Sequence, residues 1–229
     1  MKITDIVRQT IAYHDELNPH TWNGDTMNPL IRDRLIEIAN LFISYLEIPK
    51  FDVIDIVLTG SIVNYNWTDF SDYDLHIVTD FRDLECDDIA EAFYKAKKTI
   101  WNNNHDITIF GHEVELYVED VNEPPVSAGM YSILKDQWIK EPVKETPSID
   151  RSAINAKVTD LIKQIRSADS AEDLLRLRDK LRKMRRTGLD QHGEFGVDNL
   201  SFKVLRNLGY LDQMNDTVLN QQDQDLSLD

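Results

Sequence analysis

The chain is poor in cysteine, in long apolar runs, and in cationic relative to anionic charge. Cys86 is the single cysteine among 229 residues, so no intrachain disulfide can form and no Cys-based zinc site can be built. Such a chain suits a reducing compartment, and a cytoplasmic protein is expected. The longest apolar stretch, residues 38–48, is interrupted by Asn40, Ser44 and Glu47. It is too short and too polar to span a bilayer. Met1-Lys2-Ile3-Thr4-Asp5 has no apolar signal core, so secretion is not expected. Lys and Arg number 25 against 41 Asp and Glu, a net charge of −16. A uniformly acidic surface repels nucleic acid and anionic membrane, which excludes a simple DNA-coating or membrane-surface protein.

What remains is a soluble globular composition, 41% hydrophobic and 29% charged. The length fits one ordinary domain, or one domain with a smaller appendage, and it can bury a core without covalent staples. The charge is uneven. Residues 1–150 carry 12 Lys/Arg and 28 Asp/Glu, a balance of −16. Residues 151–211 carry 13 and 8, a balance of +5, and residues 212–229 carry none and 5, a balance of −5. These sign changes predict a domain over 1–150, a helical C-terminal region over 151–211, and a disordered acidic tail over 212–229. Gln221-Gln222-Asp223-Gln224-Asp225 in that tail has few apolar anchors.

The apolar spacing predicts a helix over 3–13 and a strongly amphipathic one over 30–46, with Leu35, Ile38, Ala39, Phe42 and Leu46 as its stripe and Pro49 ending it. Residues 53–58 read as a buried strand broken by Thr59-Gly60-Ser61, with a short helix over 62–66 and a second strand over 73–78. A helix is expected over 87–101, two strands joined at Gly111-His112 over 107–118, and a hairpin over 130–139. Glu123-Pro124-Pro125 separates the last two features. Helices follow over 152–166, over 171–186 with Ser170 and Asp173 as a capping pair and Gly188 as its stop, and over 198–207 closed by Gly209. These elements predict strands and helices together over residues 1–150, followed by a helical C-terminal region.

The chemistry concentrates in Leu58-Thr59-Gly60-Ser61 and, eleven residues after Ser61, Asp72-Tyr73-Asp74-Leu75-His76. On a strand, Asp72 and Asp74 share one face and Tyr73 takes the other. Two adjacent carboxylates repel, and a divalent cation or a raised pKa relieves them. Oxygen-only ligation suits Mg²⁺ or Mn²⁺ with substrate phosphates completing the shell. In residues 112–118, Glu113, Glu115 and Tyr117 share a face opposite Val114, Leu116 and Val118, so either glutamate can serve as a third acid if the two strands are neighbours. Three acids around two cations suit in-line displacement at phosphorus. A glycine permits close approach to a phosphate, and Ser61 at a helix start can help bind the β- and γ-phosphates. No Gly-Lys-Ser/Thr follows, so this is not a P-loop.

Together these residues resemble the nucleotidyltransferase superfamily typified by DNA polymerase β. Its signature is a strand, Gly-Ser, roughly ten residues, Asp-x-Asp on a strand, and a third acid on a later strand. Gly60, Ser61, Asp72 and Asp74 match it residue by residue, and the core resemblance covers residues 50–120. The longer pattern is similar to the predicted nucleotidyltransferases of large tailed bacteriophages. It runs from Asn18-Pro19 and Trp22 through Tyr65-Asn66-Trp67 and residues 106–118 to Gly188-Leu189, Gly193-Glu194-Phe195 and Asn199-Leu200.

The resemblance implies an α+β fold, a polymerase β-like mixed sheet flanked by helices and followed by a helical C-terminal region. It implies transfer of an NMP from an NTP to an acceptor hydroxyl, on a small molecule, an RNA end or a protein, with release of pyrophosphate. Asp72, Asp74 and Glu115 would be the catalytic, metal-holding acids, with Glu115 also a candidate general base. Gly60, Ser61 and His76 would bind nucleotide, and the cofactor would be Mg²⁺ or Mn²⁺. The expected compartment becomes the host cytoplasm if the chain is phage-encoded. Alternatives within the same fold are a nucleotide second-messenger or alarmone synthetase, or an inactive binding or phage assembly module.

His76 can contact a phosphate or a metal, or be a polar residue at the edge of the site. Tyr65 and Trp67 can stack a base or anchor a loop. His105, His112 and His192 show no ligand spacing and read as surface residues. Cys86 has acidic neighbours that disfavour its thiolate. Arg176, Arg178, Lys180, Arg182, Lys183, Arg185 and Arg186 form either a solvated face or a phosphate-binding wall.

Overall fold

The computed structural model describes residues 3–49, 51–83, 87–123, 127–145 and 147–228. Cys86, Pro124 and Pro125, which entered the sequence reading, lie outside them. The chain divides into two compact units, Tyr13–Glu145 and the combination of Met1–Ala12 with Thr146–Asp229.

The Tyr13–Glu145 unit opens with a small hairpin, β1 (Trp22–Asn23) and β2 (Thr26–Met27), which turns through Gly24 at φ 69°. Helix α2 spans Pro29–Leu46; the first helix of the chain, α1 (Ile3–Thr10), belongs to the other unit. Asn28 caps α2, its side chain accepting from the Leu30 N–H at 3.1 Å. Pro29 occupies the first turn, where its missing N–H has no intrahelical partner to lose. The helix ends at a left-handed Glu47 whose N–H bonds the Ser44 carbonyl. The predicted stripe is buried along its whole length, from Leu35 to Leu46, with Ile31 added at its start.

Strands β3 (Asp55–Thr59) and β4 (Tyr73–Thr79), helix α3 (Asp87–Asn104), and strands β5 (Thr108–Ile109), β6 (His112–Asp120), β7 (Met130–Ser132) and β8 (Gln137–Lys140) follow. They build a six-stranded sheet in the order β5-β6-β4-β3-β7-β8. Neighbours β4 and β6 are parallel, joined through the α3 crossover, and the other pairs are antiparallel. The sheet is thus mixed. Ile56 and Leu58 of β3, Tyr73, Leu75 and Ile77 of β4, and Val114 and Leu116 of β6 enter one apolar core with the stripe of α2 and with Ala90, Tyr94 and Trp101 of α3. Strand alternation then turns Asp74, His76, Glu115 and Tyr117 to the opposite face.

The second unit is helical: α1 (Ile3–Thr10), α4 (Arg151–Arg166), α5 (Ala171–His192), α6 (Val197–Asn207) and α7 (Tyr210–Leu226). Three expectations change here. Helix α1 groups with the C-terminal helices instead of residues 13–150, because Ile6 and Val7 are buried and α1 packs on α4 and α6. Gly188 does not stop α5. It lies buried inside the helix, where a Cβ would stand 2.5 Å from the Cβ of Asp198 on α6. Its role is close helix packing, and the end falls at Gly193, at φ 68°. The segment expected as a disordered tail is helical through Leu226, anchored by buried Met214 and Val218 at helical i, i+4 spacing. Other local expectations hold. The Ser170 side chain accepts from the Asp173 N–H and its hydroxyl donates to the Asp173 carboxylate at 2.7 Å. Gly209 follows α6 in a left-handed conformation. Among the described residues, no helix is long and apolar enough to cross a membrane.

Candidate active site

Strand β3 ends at Thr59, and the chain turns at Gly60 into a single 3₁₀ turn, Ser61–Val63, shorter than the helix expected over 62–66. Gly60 has φ 84° and ψ −168°, a region that only glycine occupies readily. Register explains its position. Thr59 pairs with Asp74 across the β3–β4 ladder, so the next residue lies on the Asp74 side chain. A Cβ at Gly60 would stand 2.1 Å from Asp74 Oδ2. The turn backbone and this carboxylate are therefore in direct contact, and only glycine permits it.

The turn is braced from several sides. Trp22 Nε1 donates to the Ile62 carbonyl at 3.0 Å, and Asn64 Nδ2 donates to the Gly60 carbonyl at 2.6 Å. The Ser61 hydroxyl meets the Ser71 hydroxyl at 2.7 Å, while Ser71 Oγ also accepts the Thr68 N–H at 2.8 Å. The Ser71 carbonyl accepts from His112 Nδ1 at 2.7 Å. A carbonyl can only accept, so His112 carries its proton on Nδ1. His112 is therefore a buried brace, not the surface residue expected from sequence. Its Nε2 lies 3.4 Å from Asn18 Nδ2.

Asp72 immediately precedes β4, and Asp74 lies within it. Both are half-buried, whereas Tyr73 between them is fully buried, with its hydroxyl 2.7 Å from Thr21 Oγ1. On parallel β6 the register partner of Asp74 is Glu115. Glu113 pairs instead with Thr108 on β5 and is exposed. Register thus brings Glu115 beside Asp74, while Glu113 lies one position before Val114, the partner of Tyr73.

Two residues outside the sequence-derived set complete the locality. Tyr117 donates its hydroxyl to Glu115 Oε2 at 2.5 Å. Its ring stacks on His76, centroids 4.6 Å apart at 11°, and the Lys98 ammonium stands 3.5 Å from its centroid. Burial first, then the negative charges of Asp74 and Glu115, hold the phenol well above its ordinary pKa. Burial pulls the Lys98 pKa down, against the opposing pull of Glu115, Asp74 and Glu119. Both groups register one local negative potential, centred on the acids.

His76, expected to contact nucleotide, is held by protein groups. Its Nε2 lies 2.9 Å from Thr59 Oγ1 and its Nδ1 lies 3.0 Å from Glu119 Oε1. Both ring nitrogens are engaged by protein, and its remaining interaction is the Tyr117 stack. Trp67 stacks on His14 at 3.8 Å and donates Nε1–H to the Glu16 carbonyl, which makes it a loop anchor. Tyr65 lies 6.3 Å from Tyr13.

Two grooves flank β6. One of about 570 Å³ includes Tyr94, Lys95, Lys98, Tyr117 and Glu119. One of about 380 Å³ includes Asn102, Asp106, Glu113 and Glu115. Among the described residues, no three His, Cys, Asp or Glu side chains come together as a group that could hold a metal ion. Asp72, Asp74 and Glu115 offer oxygen donors only, the donor chemistry of a hard divalent cation whose shell is completed by waters and substrate oxygens.

The basic helix α5 is partly committed to its own unit. Arg176 pairs with Glu172 at 2.6 Å, Lys180 Nζ donates to Gln164 Oε1 at 2.8 Å, and Arg185 donates to Asn199 at 3.3 Å. Arg182, Lys183 and Arg186 remain exposed on it.

Tyr117, Lys98, Ser71 and His112 were the residues that sequence reasoning did not assign. For Tyr117 the signal was its shared face with Glu115. For the others, spacing gave none.

No family model matches the chain, and no curated protein matches it. Among solved structures, one match is the STING-associated CdnE c-di-GMP synthase from Capnocytophaga granulosa. It is 12% identical, covers 87% of this chain and 84% of that chain, and has a TM-score of 0.22. Similarity of that size does not establish a shared fold.

Proposed function

We propose that this chain is a metal-dependent nucleotidyltransferase of the polymerase β-like kind, moving an NMP from an NTP to an acceptor hydroxyl with release of pyrophosphate. The observation that carries the reading is the contact of the Gly60 backbone with the Asp74 carboxylate on one side, with Glu115 in register beside Asp74 on the other. A bare turn, an Asp-x-Asp strand and a third acid thereby become contiguous.

Asp72, Asp74 and Glu115 would hold Mg²⁺ or Mn²⁺. When bound, the cations supply positive charge that acidifies the acceptor hydroxyl and steadies the leaving pyrophosphate. Gly60 would let the backbone approach the triphosphate, and Ser61 would donate to it. Ser71 supports that role. Ser71 Oγ accepts the Thr68 N–H and lies 2.7 Å from Ser61 Oγ, so it holds the Ser61 side chain in place. The acceptor oxygen would bond to the α-phosphorus as the bond to pyrophosphate breaks, with its proton passing to Glu115. His76 has a positioning role in this reading, through Tyr117, in place of direct nucleotide contact. The bacteriophage affiliation rests on the longer residue pattern and forms part of the same proposal.

The test is Mg²⁺-dependent labelling from an α-labelled NTP, with each of the four NTPs, alone and with RNA, protein and small-molecule acceptors. Asp72→Asn with Asp74→Asn should abolish labelling while circular dichroism and the melting transition persist. Unchanged labelling in that variant sinks the assignment. A small product formed from NTPs alone selects a second-messenger or alarmone synthetase. Labelling only with added RNA or protein selects a macromolecule-modifying transferase.

A further inference from the structure

We propose that Tyr117 is the positioning residue of the candidate site, its hydroxyl fixing the Glu115 carboxylate on the strand position paired with Asp74. This inference rests on the transferase reading for the purpose of the site, and on geometry for its mechanism.

Glutamate has three rotatable side-chain bonds, so strand register places the Glu115 Cα beside Asp74 without placing its carboxylate. The Tyr117 hydroxyl supplies the missing constraint. It lies two residues on, on the same face of β6, and donates to Oε2 at 2.5 Å. Charge-assisted O–H···O⁻ bonds have this length and are the stronger kind. The bond engages one of the two Glu115 oxygens.

The tyrosine is itself held. Its ring stacks on His76, which is fixed at Nε2 by Thr59 and at Nδ1 by Glu119. The Lys98 ammonium of α3 lies against the ring at 3.5 Å, a favourable cation–π placement. Three elements thus converge on one phenol: His76 from β4, Tyr117 from β6, and Lys98 from α3. Partners that orient a metal ligand through its second shell typically change metal affinity or activity by about 10- to 100-fold when removed.

Packing alone would explain a buried aromatic stack, so the test must separate the hydroxyl from the ring. Tyr117→Phe keeps the ring, the His76 stack and the Lys98 contact, and removes only the hydroxyl. Two readouts are used: calorimetric titration with Mn²⁺ alone, and the labelling assay analysed as kcat and KM. Tyr117→Phe is expected to weaken Mn²⁺ binding by about tenfold and to lower kcat by a comparable factor, with KM for the NTP unchanged. The melting temperature should stay close to that of the wild type. Glu115→Gln in the Tyr117→Phe background should add less than it does alone, because both act through one carboxylate.

Wild-type Mn²⁺ affinity and kcat in Tyr117→Phe overturn the positioning role and leave the transferase reading intact. Weakened Mn²⁺ binding in Tyr117→Phe, in a protein whose wild type labels nothing with any NTP, overturns the transferase reading and leaves Tyr117 as the residue that sets Glu115. Absence of Mn²⁺ binding in the wild type overturns both.

Discussion

Replacing Gly60 by alanine tests the contact on which the site is built. Two costs follow from the structure. The first is backbone strain. At φ 84° and ψ −168°, any residue with a Cβ occupies a region natural proteins reserve for glycine, at about 1–3 kcal/mol. The second is displacement. The new Cβ would stand 2.1 Å from Asp74 Oδ2, below the 3.0 Å that real Cβ contacts respect, so the carboxylate must retreat by about 1 Å. A shift of about 1 Å at a reacting centre can cost roughly 10²-fold in rate. Gly60→Ala should therefore retain its fold with a melting temperature lower by several degrees, and should lose about two orders of magnitude in labelling. The assay pairs thermal denaturation with Mg²⁺-dependent labelling. A second background separates the costs. In Asp74→Ala the displaced carboxylate is absent, so Gly60→Ala should cost less stability there, by the share that belonged to the clash. Strict additivity of the two stability losses, or full activity in Gly60→Ala, refutes the reasoning.

Two further substitutions test the bracing and the packing. Ser71→Ala leaves the Thr68 N–H without its acceptor and Ser61 without its partner; a loss of about 1–3 kcal/mol and a several-fold higher KM for the NTP are expected from denaturation and labelling assays. In an ordinary helix interior Gly188→Ala would gain about 1 kcal/mol, but here the Cβ would meet that of Asp198 at 2.5 Å, so a lower melting temperature is expected, and a stabilised protein would contradict the close α5–α6 approach.

The legibility of the site in the sequence depended on which quantities are local. The stripe of α2 and its Asn28-Pro29 start were readable because capping and 3.6-residue periodicity involve only near neighbours. The placement of Asp72 and Asp74 beside a glycine turn was readable from spacing and resemblance together. The choice between Glu113 and Glu115 was not, since they share a face and only a two-residue difference in register, set by the partner strands, separates them. Tyr117 shared the right face in sequence, but its bond to Glu115 depends on side-chain rotamers held by His76 and Lys98. His112 looked like surface because nothing nearby in sequence shows that Ser71 and Asn18 will enclose it. Gly188 looked like a helix stop because the alternative, a helix crossing too close for a side chain, is visible only once α6 is in place. Residues 212–226 looked disordered because two anchors, Met214 and Val218, suffice when other helices supply the rest of the core.

The parallel pairing of β4 with β6 also imposes an order of events during synthesis. Asp74 and its register partner Glu115 are separated by 41 positions and by the whole of α3. At about 5–20 residues per second, the ribosome takes roughly 2–8 s to cover that interval. Throughout it, β3 and β4 with the Gly60 turn are already available to pair, while the β6 side of β4 has no strand to accept its backbone groups. An unpaired edge of this kind templates association with other chains. The strand that delivers the third acid is therefore also the cover for the nascent sheet, and a chain arrested before residue 112 would be both siteless and prone to aggregate.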